Sequence, residues 1–270
     1  MPTTVEMLLR DAAAHPGDTK PLVVLVLHAL PNRNCQSRGA ATSAICCHYV
    51  PLGGGATACD HSPNGGGGAC EVGLDEYRTD VVDALAALLH EHQAQVPVAL
   101  ILEPSYASLA LGTSAPKCTD AVTQHAYAAG VEYAVQQFSS RAPRVALYLA
   151  AADGRQLGWG ARVRSYVTQV SRLGPLAFKL RGFATNIGRY QPLGQLCPVT
   201  SGETLSAYCA KHSRDPCCGD RCGLIERFNS GVGELNYVHF LAKHLKTAMP
   251  GLEPRFVIDT ARNGVPARGA

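Results

Sequence analysis

Residues 96–109 read VPVALILEPSYASL: seven residues without a polar side chain, then Glu103-Pro104, then a mixed loop. An apolar run of this length is a strand rather than a helix, and being apolar on both faces it belongs in a sheet covered on both sides. Four further runs share the pattern, Leu22–Leu27, Arg144–Leu149, Gly182–Ala184 and Arg255–Ile258. Helical stripes lie between them. Leu74, Tyr77, Val81, Leu85 and Leu88 recur at helical spacing over 74–90, Val131, Val135 and Phe138 over 119–138, and Leu235, Val238, Leu241 and Leu245 over 232–248. A shorter amphipathic helix runs through Val5, Leu8 and Leu9 and stops near His15-Pro16-Gly17. Strand–helix alternation of this kind builds βαβ units and a parallel sheet.

The 270 residues carry 46% hydrophobic and 17% charged side chains, enough apolar chain for one sizeable core. No composition shift marks a second domain, so residues 1–270 read as one domain with Cys-rich insertions at about 36–73 and 191–230. No apolar run approaches the roughly 20 residues that span a bilayer, so no membrane partner is expected. The net charge of +3 is spread along the chain, which gives no basic face for nucleic acid. Eleven cysteines, mostly in Gly/Pro-rich loops, favour disulfides and a secreted or extracellular setting. Met1–Lys20 is not a signal peptide, so the chain reads as a fragment whose start lies upstream. The CC-x3-C run at 217–222, and the set Cys46, Cys47, His48, Cys59 and His61, can each be drawn as zinc sites, but neither has two spaced pairs. Loop disulfides are favoured there, and no metal and no cofactor are expected.

Ligands of parallel βα folds bind beyond the C-terminal ends of the strands. The segments there are HALPNRNC from His28 to Cys35, LEPSYASLA leading to APKC118, YLAAADGRQLGW ending at Trp159, RGFATNIGRY around Asn186, and DTARNG from Asp259. In this order, over residues 5 to 264, they resemble the strand-end motifs of glycoside hydrolase family 6, the inverting cellobiohydrolases and endoglucanases. The resemblance implies a distorted parallel (β/α) barrel, here lacking its first strand and its last segments, with exposed sheet edges and poor solubility in isolation. It also implies β-1,4-glucan (cellulose or cello-oligosaccharide) as the partner, and a disulfide between Cys35 and Cys118.

The functional positions depart from the family. Inverting hydrolysis needs a protonated carboxyl to donate to the leaving oxygen and negative charge to help water attack. Where the family carries its acid, Ser105 follows Pro104 directly, and the Asp before the cysteine is Asn34. The Asp after the third strand is Ala150, the sugar-pressing Tyr is His28, the family His is Asp153, and the aromatic before Leu-Gly-Trp is Gln156. No intact catalytic residue is expected; Glu103, Asp153 and Asp259 are the carboxylates nearest strand ends and so weak surrogates. Arg33, Trp159 and Asn186 keep family positions and are the candidate sugar-binding residues. Each also has a plainer reading: Trp159 as a half-buried core residue, Asn186 as a cap of its own loop, Arg33 as the partner of a carboxylate. The sequence therefore predicts a cellulase-family domain with impaired catalysis, or else a non-catalytic glucan binder or degenerate fragment with no carbohydrate role.

Overall fold

The five apolar runs form one five-stranded parallel sheet. The computed structural model describes residues 4–33, 45–53, 56–59, 70–114, 121–188, 191–199, 203–219 and 229–261. Strands β1 (Val23–Leu27), β4 (Val98–Leu102), β5 (Ala146–Ala150), β6 (Gly182–Thr185) and β7 (Phe256–Ile258) lie in the spatial order β1-β4-β5-β6-β7. Every pair is parallel, with Leu27 beside Leu102, Leu102 beside Leu149, Ala150 beside Ala184 and Thr185 beside Ile258. All C-terminal strand ends thus meet along one edge. The likewise ordered helices return the chain from that edge to the next strand's start.

One sheet face is deeply covered. Val23, Leu27, Val98, Leu100, Leu102, Leu147, Leu149 and Phe183 join a single core with residues of helices α1 (Thr4–Ala14), α4 (Ala121–Arg141), α6 (Gly160–Ser171) and α8 (Glu234–Ala248). The other face carries a small cluster of Ile101, Ala150 and Ala184, with Tyr148, Ile187 and Val257 partly buried beside it. Burial on both faces, expected of all five runs, holds for the interior strands β4 and β6, whose residues are all buried. It fails for β1: Val24 and Val26 are 53% exposed. β1 is an edge strand, and on this face Val26 has a neighbour from that cluster, Ile101, on one side only.

Two helical stripes shift from their expected positions. In α1 the buried residues are Leu9 and Ala12, with Val5 packed against the core, and Leu8 points outward at 45% exposure. The second shift has a local cause. The helix from Glu71 to His92 comprises α2 (Glu71–Glu76), a π-helical stretch Tyr77–Asp83, and α3 (Ala84–His92). Leu74 and Tyr77 are buried as expected, but beyond the π stretch the buried positions are Val82, Ala86 and Leu89, each one residue later than Val81, Leu85 and Leu88. A π-bulge inserts one residue into the turn, and every later side chain rotates accordingly. Val81, Leu85 and Leu88 then sit at the margin of the same core.

The Cys-rich insertions have structure of their own. The first contains an antiparallel hairpin, β2 (Tyr49–Gly53) with β3 (Ala56–Cys59), and Cys47–Cys70 joins its approach to the start of α2. Closing that 23-residue separation stabilises by about 3 kcal/mol on the chain-entropy model. Cys46 is also disulfide-bonded. The second contains α7 (Leu205–Lys211), with Cys197–Cys217 and Cys209–Cys218 crossing it around a small apolar cluster that includes Leu205 and Val199. Disulfides thus take up Cys217 and Cys218 of one drawn zinc set and Cys46 and Cys47 of the other. Asn34, Cys35, His61, Cys118 and Cys222 lie outside the described residues, and with them the expected Cys35–Cys118 bond.

Candidate functional site

The C-terminal edge of the sheet concentrates backbone strain. Among the described residues, four that are not glycine have left-handed φ: Asn32 (55°), Glu103 (48°), Ala152 (48°) and Asn186 (62°). One follows each of β1, β4, β5 and β6. Each costs of order 1–2 kcal/mol and persists only where surrounding contacts hold it, a pattern that accumulates at functional sites.

Buried tyrosines supply much of the hold. Tyr77 donates to Glu103 Oε1 at 3.0 Å, Tyr127 to Asn32 O at 3.0 Å, Tyr166 to Ala150 O at 2.9 Å and Tyr237 to Ala151 O at 2.7 Å. All four rings are fully buried in the helix layer, so each hydroxyl is satisfied by a strand-end loop rather than by water. The helices therefore set the positions of the loops after β1, β4 and β5. Sequence reading counted Tyr77 as an apolar stripe member and did not single out Tyr127, Tyr166 or Tyr237; the hydroxyls of all four are the part it missed.

The loops after β1 and β4 are joined through Glu103. Its carboxylate, fully buried, accepts from Ala29 N (3.1 Å to Oε1, 3.2 Å to Oε2), from Leu30 N (3.2 Å) and from Tyr77. Burial raises its pKa to about 7 against the opposing pull of those donors and of Arg33. Every oxygen of Glu103 is turned to the protein. Beside it, Ser105 Oγ and His28 Nε2 are 2.7 Å apart and both side chains are half-buried. Burial and the nearby Arg33 charge hold the His28 pKa below its ordinary value. Arg33 is half-buried and donates to His28 O.

The loops after β5 and β6 form a second, closed assembly. Asp153 is buried, and its Oδ1 accepts from Gln156 N at 3.1 Å, capping the short helix α5 (Gly154–Leu157). Asn186 is 1% exposed; its amide nitrogen donates to Gln191 O (3.1 Å) and Asp259 O (3.0 Å) and its oxygen accepts from Gln191 N (2.9 Å). Its side chain thus binds its own loop and the end of β7. Asp259 is half-buried, with Oδ1 accepting from Ala261 N. Ala150 places a buried methyl where the resembling motif has a carboxylate. Trp159 is half-buried at the start of α6, and the Arg162 guanidinium lies 5.8 Å from its ring centre.

Sequence reading missed Glu234, a second fully buried carboxylate at this edge. It starts α8, is fully buried, and accepts through Oε2 from Gly154 N (3.2 Å) and Gln191 Nε2 (2.9 Å). Burial raises its pKa to about 8, with Asp153 adding to the rise and Thr185, Gly154 and Gln191 opposing it. The Thr185 hydroxyl faces it without closing a hydrogen bond of normal geometry, and Glu234 Oε1, Gln191 Oε1 and Thr185 Oγ1 have no partner among the described residues. Three glycines let the backbones approach here: a Cβ on Gly158 would lie 2.0 Å from Asn229 Oδ1, one on Gly154 2.4 Å from Gly231 O, and one on Gly231 2.8 Å from Gly154 Cα. A single acid at the head of an apolar helix gives no sequence sign of this joint.

Comparison with known proteins agrees with this geometry. Residues 57–270 match the model of the glycosyl hydrolases family 6. A 1,4-β-D-glucan cellobiohydrolase of Podospora anserina is 29% identical over 203 residues, covering 73% of this chain and 44% of that protein. Exoglucanase 3 of Agaricus bisporus is 28% identical over 247 residues, 90% of this chain and 44% of its own length. The chain therefore spans less than half the length of these relatives. Among solved structures, the CcCel6A catalytic domain complexed with p-nitrophenyl β-D-cellotrioside superposes with a TM-score of 0.63 at 26% identity, over 97% of this chain and 59% of that one. A family 6 enzyme of Coprinopsis cinerea shares the fold, with a TM-score of 0.69 at 24% identity over 98% and 59%.

Proposed function

The chain belongs to glycosyl hydrolases family 6, and from that premise we propose that its strand-end cleft binds β-1,4-glucan, as cellulose or cello-oligosaccharide, with hydrolysis impaired. The observation that carries the reading is the Ser105–His28 pair at the position where the family presents its acid. Inversion requires a carboxyl that can reach the leaving oxygen and a second negative charge some 6.5–9.5 Å away across the sugar. Glu103 has a pKa suited to proton donation, about 7, but its oxygens are enclosed by Ala29, Leu30 and Tyr77. Asp153 is committed to capping α5. Asp259 is the more accessible of the three surrogates, and one carboxylate cannot supply both roles.

Sugar contact falls to Trp159, whose half-buried indole offers a stacking surface, and to Arg33 beside the β1 loop. Asn186 contributes by holding the β6 loop in its left-handed turn. A second reading, a domain with no carbohydrate role, draws on the same residues: Arg162 lies over the indole and Asn186 is enclosed. Calorimetric titration with cellohexaose separates the two. Glucan binding gives a saturable isotherm that Trp159→Ala weakens by about 2- to 10-fold, the worth of one aromatic contact. A flat titration with folded protein would favour the second reading. The setting follows the relatives and the disulfides, and we propose secretion.

A further inference from the structure

We propose that Ser105 and His28 form a nucleophile–base pair, so that the strand-end cleft hydrolyses carboxylic esters. The 2.7 Å between Ser105 Oγ and His28 Nε2 falls within the reach that marks an activated serine. An activated serine needs a neutral imidazole, with the proton on Nδ1 and Nε2 accepting from the hydroxyl. Both side chains are half-buried, so neither is sealed from solvent.

Both partners are held by their backbones. The Ser105 carbonyl accepts from Ser108 Oγ at 2.6 Å and from Ser108 N at 3.0 Å. The His28 carbonyl accepts from Arg33, and the next two amides, of Ala29 and Leu30, donate to Glu103. Glu103 lies two residues before Ser105, so one buried carboxylate ties the loop bearing the base to the loop bearing the nucleophile. The 3₁₀ segment Tyr106–Ser114, kinked at Gly112 (φ 57°, ψ −135°), begins immediately after Ser105. Strand, left-handed turn, serine and helix follow one another without a gap. None of this is needed to bind a glucan chain.

In the reaction, Ser105 Oγ attacks the ester carbonyl carbon while its proton passes to His28 Nε2. The carbon–alkoxide bond breaks, the alcohol leaves with that proton, and an acyl-serine remains. Water then attacks the acyl carbon and gives a proton to His28. The carboxylic acid departs and the proton returns to Ser105.

The test uses the full chain and diisopropyl fluorophosphate, in which Oγ displaces fluoride from phosphorus. Peptide mass spectrometry is expected to find one adduct per chain, on Ser105, and none in Ser105→Ala. His28→Gln is expected to slow labelling about 100-fold or more, the usual loss on removing a general base. In the unaltered chain, excess p-nitrophenyl acetate is expected to slow labelling and to release nitrophenol. A folded chain that stays unlabelled, an adduct elsewhere than Ser105, equal labelling of a folded His28→Gln, or no protection by the ester would overturn the proposal. The ester competition needs no variant, so it stands even if His28→Gln does not fold.

Discussion

Glu103 and Glu234 are both fully buried at the C-terminal edge of one sheet, and they meet different numbers of donors. Glu103 is met by two amides and a tyrosine hydroxyl, with Arg33 nearby, and its pKa reaches about 7. Glu234 is met by one amide and one side-chain amide, faces Asp153, and reaches about 8, leaving Oε1 without a partner among the described residues. Desolvation pushes both carboxyls up; the count of donors and the sign of the nearest charge decide how far. The first glutamate joins two loops that keep half-buried Ser105 and His28 within reach of solvent. The second closes a joint in which glycines exclude even a methyl group. The two halves of one strand-end edge therefore differ: one leaves half-buried polar side chains within reach of solvent, the other is closed.

The contrast can be broken most forcefully at Glu103. Glu103→Ala leaves the Ala29 and Leu30 amides and the buried Tyr77 hydroxyl without an acceptor. Orphaned buried donors cost about 1–3 kcal/mol each, and the expected loss is about 3–5 kcal/mol, read by denaturant unfolding. At the closed joint, Gly158→Ala drives a Cβ to 2.0 Å from Asn229 Oδ1 and 2.3 Å from Gly154 O, so either the loop shifts or the capping Asn229 does. A loss of about 2–3 kcal/mol is expected. Gly160→Ala is its control: the nearest atom is the end of the Arg164 side chain at 3.2 Å, and stability should change by less than about 1 kcal/mol.

The effect that separates the two carboxyls is in the pH profile. Both folded pKa values lie above the ordinary 4.5, so between about pH 4.5 and pH 7 to 8 the folded chain holds protons that the unfolded chain has released. Stability from these groups is therefore greatest at acid pH and falls as pH rises, by up to about 1.4 kcal/mol per unit for each group. Glu234→Gln should remove about half of that slope and leave the profile flat from about pH 7 rather than about pH 8, as followed by melting temperature from pH 5 to 8. An unchanged profile would mean that Glu234 is ionised in the folded chain.

Much of this edge was legible in the sequence, in uneven ways. Strand positions were clear because runs such as Val98–Leu102 have no competing helical period. α4 was clear because Val131, Val135 and Phe138 recur without interruption. The π stretch at Tyr77–Asp83 leaves no composition mark, so the stripe beyond it was placed one residue early. α6 carries a plain signal in Val163, Tyr166, Val167 and Val170, overlooked beside the Leu-Gly-Trp motif. The Ser105–His28 contact spans 77 residues, and Glu234 meets Gly154 across 80. Such pairings follow from the order of strands, which local periodicity does not encode. Family resemblance brought the right loops together; only the fold shows that Glu103 faces inward and His28 faces Ser105.

The most direct test of the account is a single calorimetric titration of the folded chain with cellohexaose, followed past each injection. The account predicts heat that saturates and returns to baseline, with the hexaose recovered uncut. Sustained heat after each injection, accompanied by shorter cello-oligosaccharides, would contradict it, because the cleft would then contain a working proton donor.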